Sequence, residues 1–135
     1  MDDDQLVQNA FRRLLENRGY EVEAVLDGAS AVEQYRRRWE SGRPFDIVLM
    51  DLTVPGGVGG NEALTRILQF DPKVRAVVCS GYSDNPVMAN YREAGFVAAL
   101  HKPFRVNDLE TVIQNILSES ENGISSRVAD TKRIS

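Results

Sequence analysis

The chain has 135 residues and a formal net charge of −4, and 42% of its residues are apolar and 27% charged. This balance is typical of a soluble globular protein; it excludes a disordered or membrane-spanning chain and argues against nucleic acid as the main partner, because phosphate contacts need a basic surface. One cysteine, Cys79, leaves no partner for a disulfide or a cysteine-based zinc site, and Met1 is followed by aspartates instead of a secretory signal, so we expect a cytoplasmic location.

Apolar residues recur at helical spacing in several stretches, and short apolar or alternating runs lie between them. In chain order, the sequence predicts a helix over 5–18, a strand over 20–26, a helix over 31–39, a strand over 47–50, a helix over 63–68, a strand over 74–80, a helix from about 85 to 91, a strand over 96–100 and a helix over 106–117. Strands that alternate with helices in this way indicate βαβ units and a doubly wound parallel sheet of the α/β class. The apolar period is then lost, so we expect one domain over 1–118 and a frayed or disordered polar tail over 119–135.

Polar residues stand where three of these strands end and where the first helix begins. In an open parallel sheet, ligands bind in the crevice outside the carboxyl ends of the strands, so these positions are expected to converge on one edge. The residues are Asp2 and Asp3 before the first helix, Asp51 after the strand 47–50, Ser80 at the end of the strand 74–80, and Lys102 after the strand 96–100. The site expected there holds carboxylates, one hydroxyl and one ammonium.

This set of groups suits phosphoryl transfer. Clustered carboxylates repel one another unless a cation intervenes, and oxygen-only ligands suit Mg²⁺. A carboxylate such as Asp51 can act as a nucleophile and form an aspartyl-phosphate. Mg²⁺ and Lys102 would neutralise the charge of the phosphoryl group, and Ser80 would hydrogen-bond one of its oxygens.

The motifs that carry these residues resemble those of a response-regulator receiver domain. They are D-D before the first helix, a strand ending in D-L-x-x-P-G, a strand ending in S-G and a strand ending in K-P-F, and the resemblance covers about residues 1–118. The stretches MDLTVPGGVGG and SGYSDNPVMANYREAGF are particularly similar to receivers at the end of hybrid sensor histidine kinases. The resemblance implies a flavodoxin-like sheet with strand order 2-1-3-4-5.

The resemblance also implies roles in a two-component phosphorelay. Asp51 would accept a phosphoryl group from a phosphohistidine on a histidine kinase or histidine phosphotransfer domain, with only slow self-phosphorylation and autodephosphorylation. Ser80 would be the switch hydroxyl, Lys102 would pair with the phosphoryl group, and Pro103 would follow a cis bond.

The same resemblance implies a Mg²⁺ site. Asp2 and Asp3 would form its acidic pair, with Asp3 as the direct ligand beside Asp51, and the backbone carbonyl of Thr53 would complete the protein ligands.

The sequence departs from the family pattern at two points. Many receivers carry an aromatic residue three positions before the lysine, where this chain has Ala99, so a switch through that ring is not expected. The family's first strand would end where Met1 stands, and four buried aliphatic side chains at ~1.5–3 kcal/mol each rival the net stability of a domain. We therefore interpret Met1 as an internal methionine of a longer parent protein.

Simpler interpretations remain for each site residue. Asp51 would serve as a cap, the aspartates at 2–4 would favour a helix N-terminus, and Ser80 and Lys102 would be an ordinary strand-end hydroxyl and a surface lysine. His101 is interpreted as a structural or surface residue and Cys79 as a small core residue.

The glycine-rich loop at 56–60 lacks the Lys-Ser/Thr of a P-loop and the spacing of a dinucleotide site, so turn flexibility is its predicted role. Two further functions compete with the phosphoacceptor receiver. One is a degenerate receiver that acts only as a docking module. The other is an aspartate-nucleophile phosphatase, which is weakened because Thr53 stands where that class carries a second carboxylate.

Overall fold

The computed structural model of the chain shows alternating helices and strands. It describes residues 5–23, 25, 27–52, 59–80, 86–102, 104–121 and 132–134. The elements in these ranges are α1 (Gln5–Asn17), β1 (Tyr20–Val22), α2 (Gly28–Glu40), β2 (Val48–Asp51), α3 (Gly60–Leu68), β3 (Ala76–Ser80), α4 (Pro86–Ala89), α5 (Tyr91–Ala94), β4 (Ala98–His101), α6 (Val106–Glu121) and β5 (Lys132–Ile134). In these parts of the chain, no helix has both the length and the apolar character needed to cross a membrane.

The centre of the sheet is β3, which lies between β2 and β4 with all three strands parallel. Every residue of β3 is buried, as expected for an inner strand covered on both faces. The register pairs Asp51 with Cys79 and Ser80 with His101, so the strands end at one common edge. The predicted α/β fold, and the predicted order of its last three strands, are confirmed.

The two faces of the sheet are covered by different helices. Val48 and Met50 of β2 belong to a core cluster with residues of α2 and α3, such as Tyr35 and Leu64. Alternate sheet residues belong to the opposite cluster, whose helical members are Leu15 of α1 and Leu109, Ile113, Ile116 and Leu117 of α6. Because side chains alternate across a strand, one apolar run supplies both cores.

Two predicted elements differ from the structure near the sheet ends. β1 is confined to Tyr20–Val22, and Ala24 and Leu26 lie outside the described residues. The helix predicted around residues 85–91 is two short helices, because Asn90 has φ −121° and ψ 41°, which is not helical. The backbone N–H of Asn90 still donates to the Pro86 carbonyl at 3.0 Å.

Two parts of the tail after residue 118, residues 119–121 and 132–134, have regular secondary structure. α6 continues to Glu121, and Lys132–Ile134 form β5, which pairs in parallel with β1. The prediction of a disordered tail is therefore wrong for these residues. Residues 1–4, which precede α1, lie outside the described residues.

A buried hydrogen bond ties α2 to the turn before β3, at the edge of the sheet where the strands begin. The Tyr35 hydroxyl donates to Asp71 Oδ2 at 2.6 Å, and both residues are buried. Burial, together with this hydrogen bond, raises the pKa of the Tyr35 phenol well above its usual value. The phenol is therefore held neutral as a donor to the carboxylate.

Gly60 lets the start of α3 lie directly against the end of β2. A Cβ atom at this position would stand 2.7 Å from the Asp51 carbonyl oxygen and 3.0 Å from the Met50 Cβ. Backbone and a strand Cβ cannot move aside as the end of a flexible side chain can. Flexibility was the predicted role of the glycine-rich loop, but at Gly60 the requirement is for space.

We predict that Gly60→Ala destabilises the protein by ~1–3 kcal/mol, because overpacking outweighs the gain in helix propensity of about 1 kcal/mol. Chemical denaturation of the variant measures this difference. Asn61→Ala, at the exposed next position, is the control and should change stability by less than about 0.5 kcal/mol. A Gly60→Ala variant that is more stable than the parent chain would contradict the close approach.

Candidate functional site at the carboxyl edge of the sheet

Asp51 is a buried carboxylate at the end of an apolar strand. It is the last residue of β2, directly after Met50, and only 5% of it is exposed. The backbone continues the sheet for one more step, because the Leu52 N–H donates to the Cys79 carbonyl at 3.1 Å. The carboxylate is thus held by a rigid strand end and not by a mobile loop.

Lys102 reaches the same carboxylate from the far side of the central strand. Its backbone N–H donates to the Ser80 carbonyl at 2.9 Å, which places it directly after β4, and its Nζ donates to Asp51 Oδ2 at 2.5 Å. The register explains the reach, because Asp51, Cys79 and Leu100 are successive partners across the sheet and share one face. Lys102 lies two residues after Leu100 and therefore on that face too.

The ion pair is asymmetric in its exposure. The Asp51 side chain is 7% exposed and the Lys102 side chain 31% exposed. A carboxylate this deeply buried needs a cation, since an unpaired buried charge is strongly destabilising. The Lys102 ammonium supplies that cation, and part of the Lys102 side chain is exposed at the surface. The ammonium is therefore both a structural counter-ion and a positive charge near the mouth of the site.

Ser80 is the third predicted residue at this edge. It closes the central strand and is 1% exposed. Its carbonyl accepts the Lys102 backbone N–H, so the ends of β3 and β4 are fastened together. The neighbouring His101 is exposed, which agrees with the interpretation of that residue as a surface group. Cys79 is buried in the core, as expected.

The structure thus brings together three of the predicted site residues and does not describe the others. Asp51, Ser80 and Lys102 meet at one edge. Asp2, Asp3, Thr53 and Pro103 lie outside the described residues. The acidic pair, the carbonyl ligand and the cis bond remain predictions.

The described part of the site offers one feature that suits a divalent cation, which is a carboxylate ligand. Mg²⁺ takes oxygen ligands and binds through few protein carboxylates, and Asp51 offers such a carboxylate at the sheet edge. Across the described ranges, no three acidic, histidine or cysteine side chains form a metal cluster. Asp51 would therefore need the predicted ligands Asp2, Asp3 and the Thr53 carbonyl to complete a site.

Phe104 fixes the segment that carries Lys102. Its ring lies 5.3 Å from the ring of Phe11 in α1, measured between centroids. This contact ties the loop after β4 to the helix that follows the predicted acidic pair. Sequence reasoning noted K-P-F as a motif but assigned Phe104 no role; the available signal was an aromatic residue directly after the loop that presents the lysine.

Comparison with known proteins gives one consistent family. A family model described as a response regulator receiver domain matches residues 1–114. The response regulator UvrY of Escherichia coli is 28% identical over 136 aligned positions, which cover 100% of this chain and 60% of UvrY. The chemotaxis protein CheY of Bacillus subtilis is 29% identical over 119 positions, which cover 87% of this chain and 94% of CheY. The chain therefore spans about three-fifths of the length of UvrY and almost all of CheY.

A solved structure shares the fold closely. The receiver domain of the sensor histidine kinase PA1611 from Pseudomonas aeruginosa superimposes with a TM-score of 0.75 and is 25% identical, covering 87% of this chain and 93% of that domain. That structure is described as holding a magnesium ion coordinated in its active-site cleft.

We predict that Lys102→Met lowers the free energy of unfolding by ~1–3 kcal/mol, because it leaves the Asp51 carboxylate without its cation in a buried position. Chemical denaturation at neutral pH measures the loss. Lys73→Met removes an exposed lysine and should change stability by less than about 0.5 kcal/mol.

The same loss should largely vanish in an Asp51→Asn background, since no buried carboxylate then needs a partner. If Lys102→Met destabilised both backgrounds equally, the ion pair would not be the source of the effect.

Proposed function

The chain belongs to the response-regulator receiver-domain family, and on that premise we propose that Asp51 accepts a phosphoryl group from a phosphohistidine of a partner protein in a Mg²⁺-dependent reaction. The observation that supports this most directly is the buried Asp51 carboxylate with the Lys102 ammonium 2.5 Å away. The strand positions the carboxylate, and the nearby cation can stabilise the negative charge of a phosphoryl group attached to it.

The proposed transfer is a displacement at phosphorus. A carboxylate oxygen of Asp51 attacks, an O–P bond forms and the N–P bond to the donor imidazole breaks, with its electron pair returning to the ring nitrogen. The product is an aspartyl-phosphate, which is an acyl phosphate. In a separate autodephosphorylation step, water attacks the phosphorus, the O–P bond to Asp51 breaks, and the carboxylate and inorganic phosphate are released. The transfer demands little covalent chemistry from the protein, so positioning and charge neutralisation dominate.

Lys102 and Ser80 would recognise the product. A phosphoryl group adds a charge of about −1.5 to −2 at neutral pH, and the Lys102 ammonium already lies at the carboxylate that would carry it. Ser80 ends the neighbouring strand and offers a hydroxyl that can donate to a phosphoryl oxygen. Because Ser80 and Lys102 are joined through their backbones, a shift of one is transmitted to the other.

We propose that Mg²⁺ is held by Asp51, Asp2, Asp3 and the Thr53 carbonyl. When bound, it would neutralise charge on the transferring phosphoryl group. The part of the site that the structure describes supports this proposal, because the Asp51 carboxylate offers oxygen atoms as ligands, which Mg²⁺ prefers. The receiver domain of PA1611, which shares the fold, holds magnesium in its cleft.

The partner is proposed to be a histidine kinase or a histidine phosphotransfer domain, since the donor chemistry is a phosphohistidine. Family membership favours this reading over the phosphatase. A docking-only receiver differs in one property, which is that its aspartate takes no phosphoryl group.

We predict that the full chain, incubated with acetyl phosphate and Mg²⁺, gains about 80 Da, the mass of one phosphoryl group. Asp51→Asn should abolish the gain, because the amide is not a nucleophile for this transfer. Removal of the divalent cation with a chelator should lower the yield strongly. Intact-protein mass spectrometry under mild acid measures all three.

Asp46→Asn is the matched control. Asp46 is a buried aspartate just before β2, at the opposite end of the strand, where it pairs with Arg75 at 3.7 Å. This variant should be phosphorylated like the parent chain. A gain that persists in Asp51→Asn would assign another acceptor, and a parent chain that never gains mass would favour the docking module.

A further inference from the structure

The strand β5 comes from the opposite end of the chain to its partner. It runs parallel to β1, and the register pairs Tyr20 with Lys132, Glu21 with Arg133 and Val22 with Ile134. A sheet of two three-residue strands is marginal when it stands alone. The pairing therefore needs support from the rest of the sheet.

β1 packs on the same core cluster as residues of β2, although no pairing joins these two strands in the described residues. The described strands form two groups, β1 with β5 and β2 with β3 and β4. Yet Tyr20 and Val22 of β1 pack against the core cluster that contains Ile47 and Val77. β1 also contacts α1, which packs on α6 across the same core. Because β1 and the strands β2 and β3 pack on the same core cluster under α1 and α6, we infer that β1 lies in the plane of the sheet.

The strand order of the fold leaves one place between β1 and β2. The order 2-1-3-4-5 numbers the strands of the family along its chain. In that numbering, β1 of this chain corresponds to strand 2 and β2 corresponds to strand 3. Strand 1 of the family, which precedes the helix equivalent to α1, lies between them. That strand is parallel to both neighbours. β5 has this direction and already holds one of the two expected neighbours.

We propose that β5 fills this place in the 135-residue chain, whose Met1 stands where the family's first strand would end, so that the C-terminal segment supplies the inner strand and the sheet is continuous in the order β1-β5-β2-β3-β4. The register matches all three residues of β5 to all three residues of β1, so the two strands run side by side over the whole length of β1. Basic residues begin the strand, at the edge away from the site, and the apolar Ile134 follows them. The carboxyl end of β5 then points to the edge that carries Asp51 and the start of α1.

As a consequence, the inner strand of this receiver sheet comes from a segment that follows α6, the last helix. β1 owes its place to β5, because β5 would bridge it to β2. Loss of the pairing would release β1 first and leave β2, β3 and β4 in place, since those strands bond to one another independently of β5.

Amide hydrogen exchange in the full chain tests the pairing. Arg133→Pro removes a backbone N–H and should raise the exchange rates of the amides of Tyr20–Val22 by about tenfold or more. Arg133→Thr keeps the N–H and a strand-forming residue, and its rates should stay within about twofold of the parent chain. Parent-like protection in Arg133→Pro would overturn the proposal.

Contacts in the unmodified chain test the placement even if Arg133→Pro does not fold. Nuclear Overhauser effects between backbone protons should link Lys132–Ile134 to Tyr20–Val22, and the end of β5 at Ile134 to the first residues of β2. Contacts to β1 alone would place β5 on the outer edge and overturn the proposal. A mixture of isotope-labelled and unlabelled chains separates the sources: contacts within one chain support the proposal, and contacts only between chains show that a second copy supplies the strand and contradict it.

Discussion

The pairing of the Asp51 carboxylate with the Lys102 ammonium is the interaction on which the site depends. The carboxylate is buried at the end of an apolar strand, and a buried anion without a cation would be strongly destabilising. The cation lies directly after β4, which is not adjacent to β2, so the central strand β3 must hold β2 and β4 in register for the two charges to meet. The geometry of the site therefore depends on the strand register, because a shift in register would separate the ion pair.

Contacts behind the site keep its two halves in place. Gly60 allows α3 to begin against the carbonyl of Asp51, which holds the end of β2. Phe104 packs on Phe11 and so connects the lysine-bearing loop to α1. The α2–α3 core and the α1–α6 core cover opposite faces of the same strands. The strands that present Asp51, Ser80 and Lys102 are therefore packed on both faces.

Much of this arrangement could be predicted because it follows from local patterns. The apolar runs ending in Asp51 and Ser80 identify buried parallel strands, and the rule that ligands bind at carboxyl ends brings Asp51, Ser80 and Lys102 together. Three features could not be read in that way. Lys132–Ile134 is a short, largely polar segment whose strand character comes only from its distant partner, β1. The break at Asn90 falls within an apolar period that still looks helical. The need for glycine at position 60 arises from Asp51 and Met50, which are remote along the chain.

The central claim is that side chains from three strands share one anion at one edge of the sheet. The direct measurement is a residue-resolved NMR comparison of the full chain with and without Mg²⁺ and beryllium fluoride, which mimics an acyl phosphate. We expect the largest shifts at Asp51, Ser80 and Lys102, with Asp46 and Asp71 at the opposite ends little changed. Shifts at Asp51 with Lys102 unaffected, or shifts centred on the opposite edge, would contradict a shared anion site.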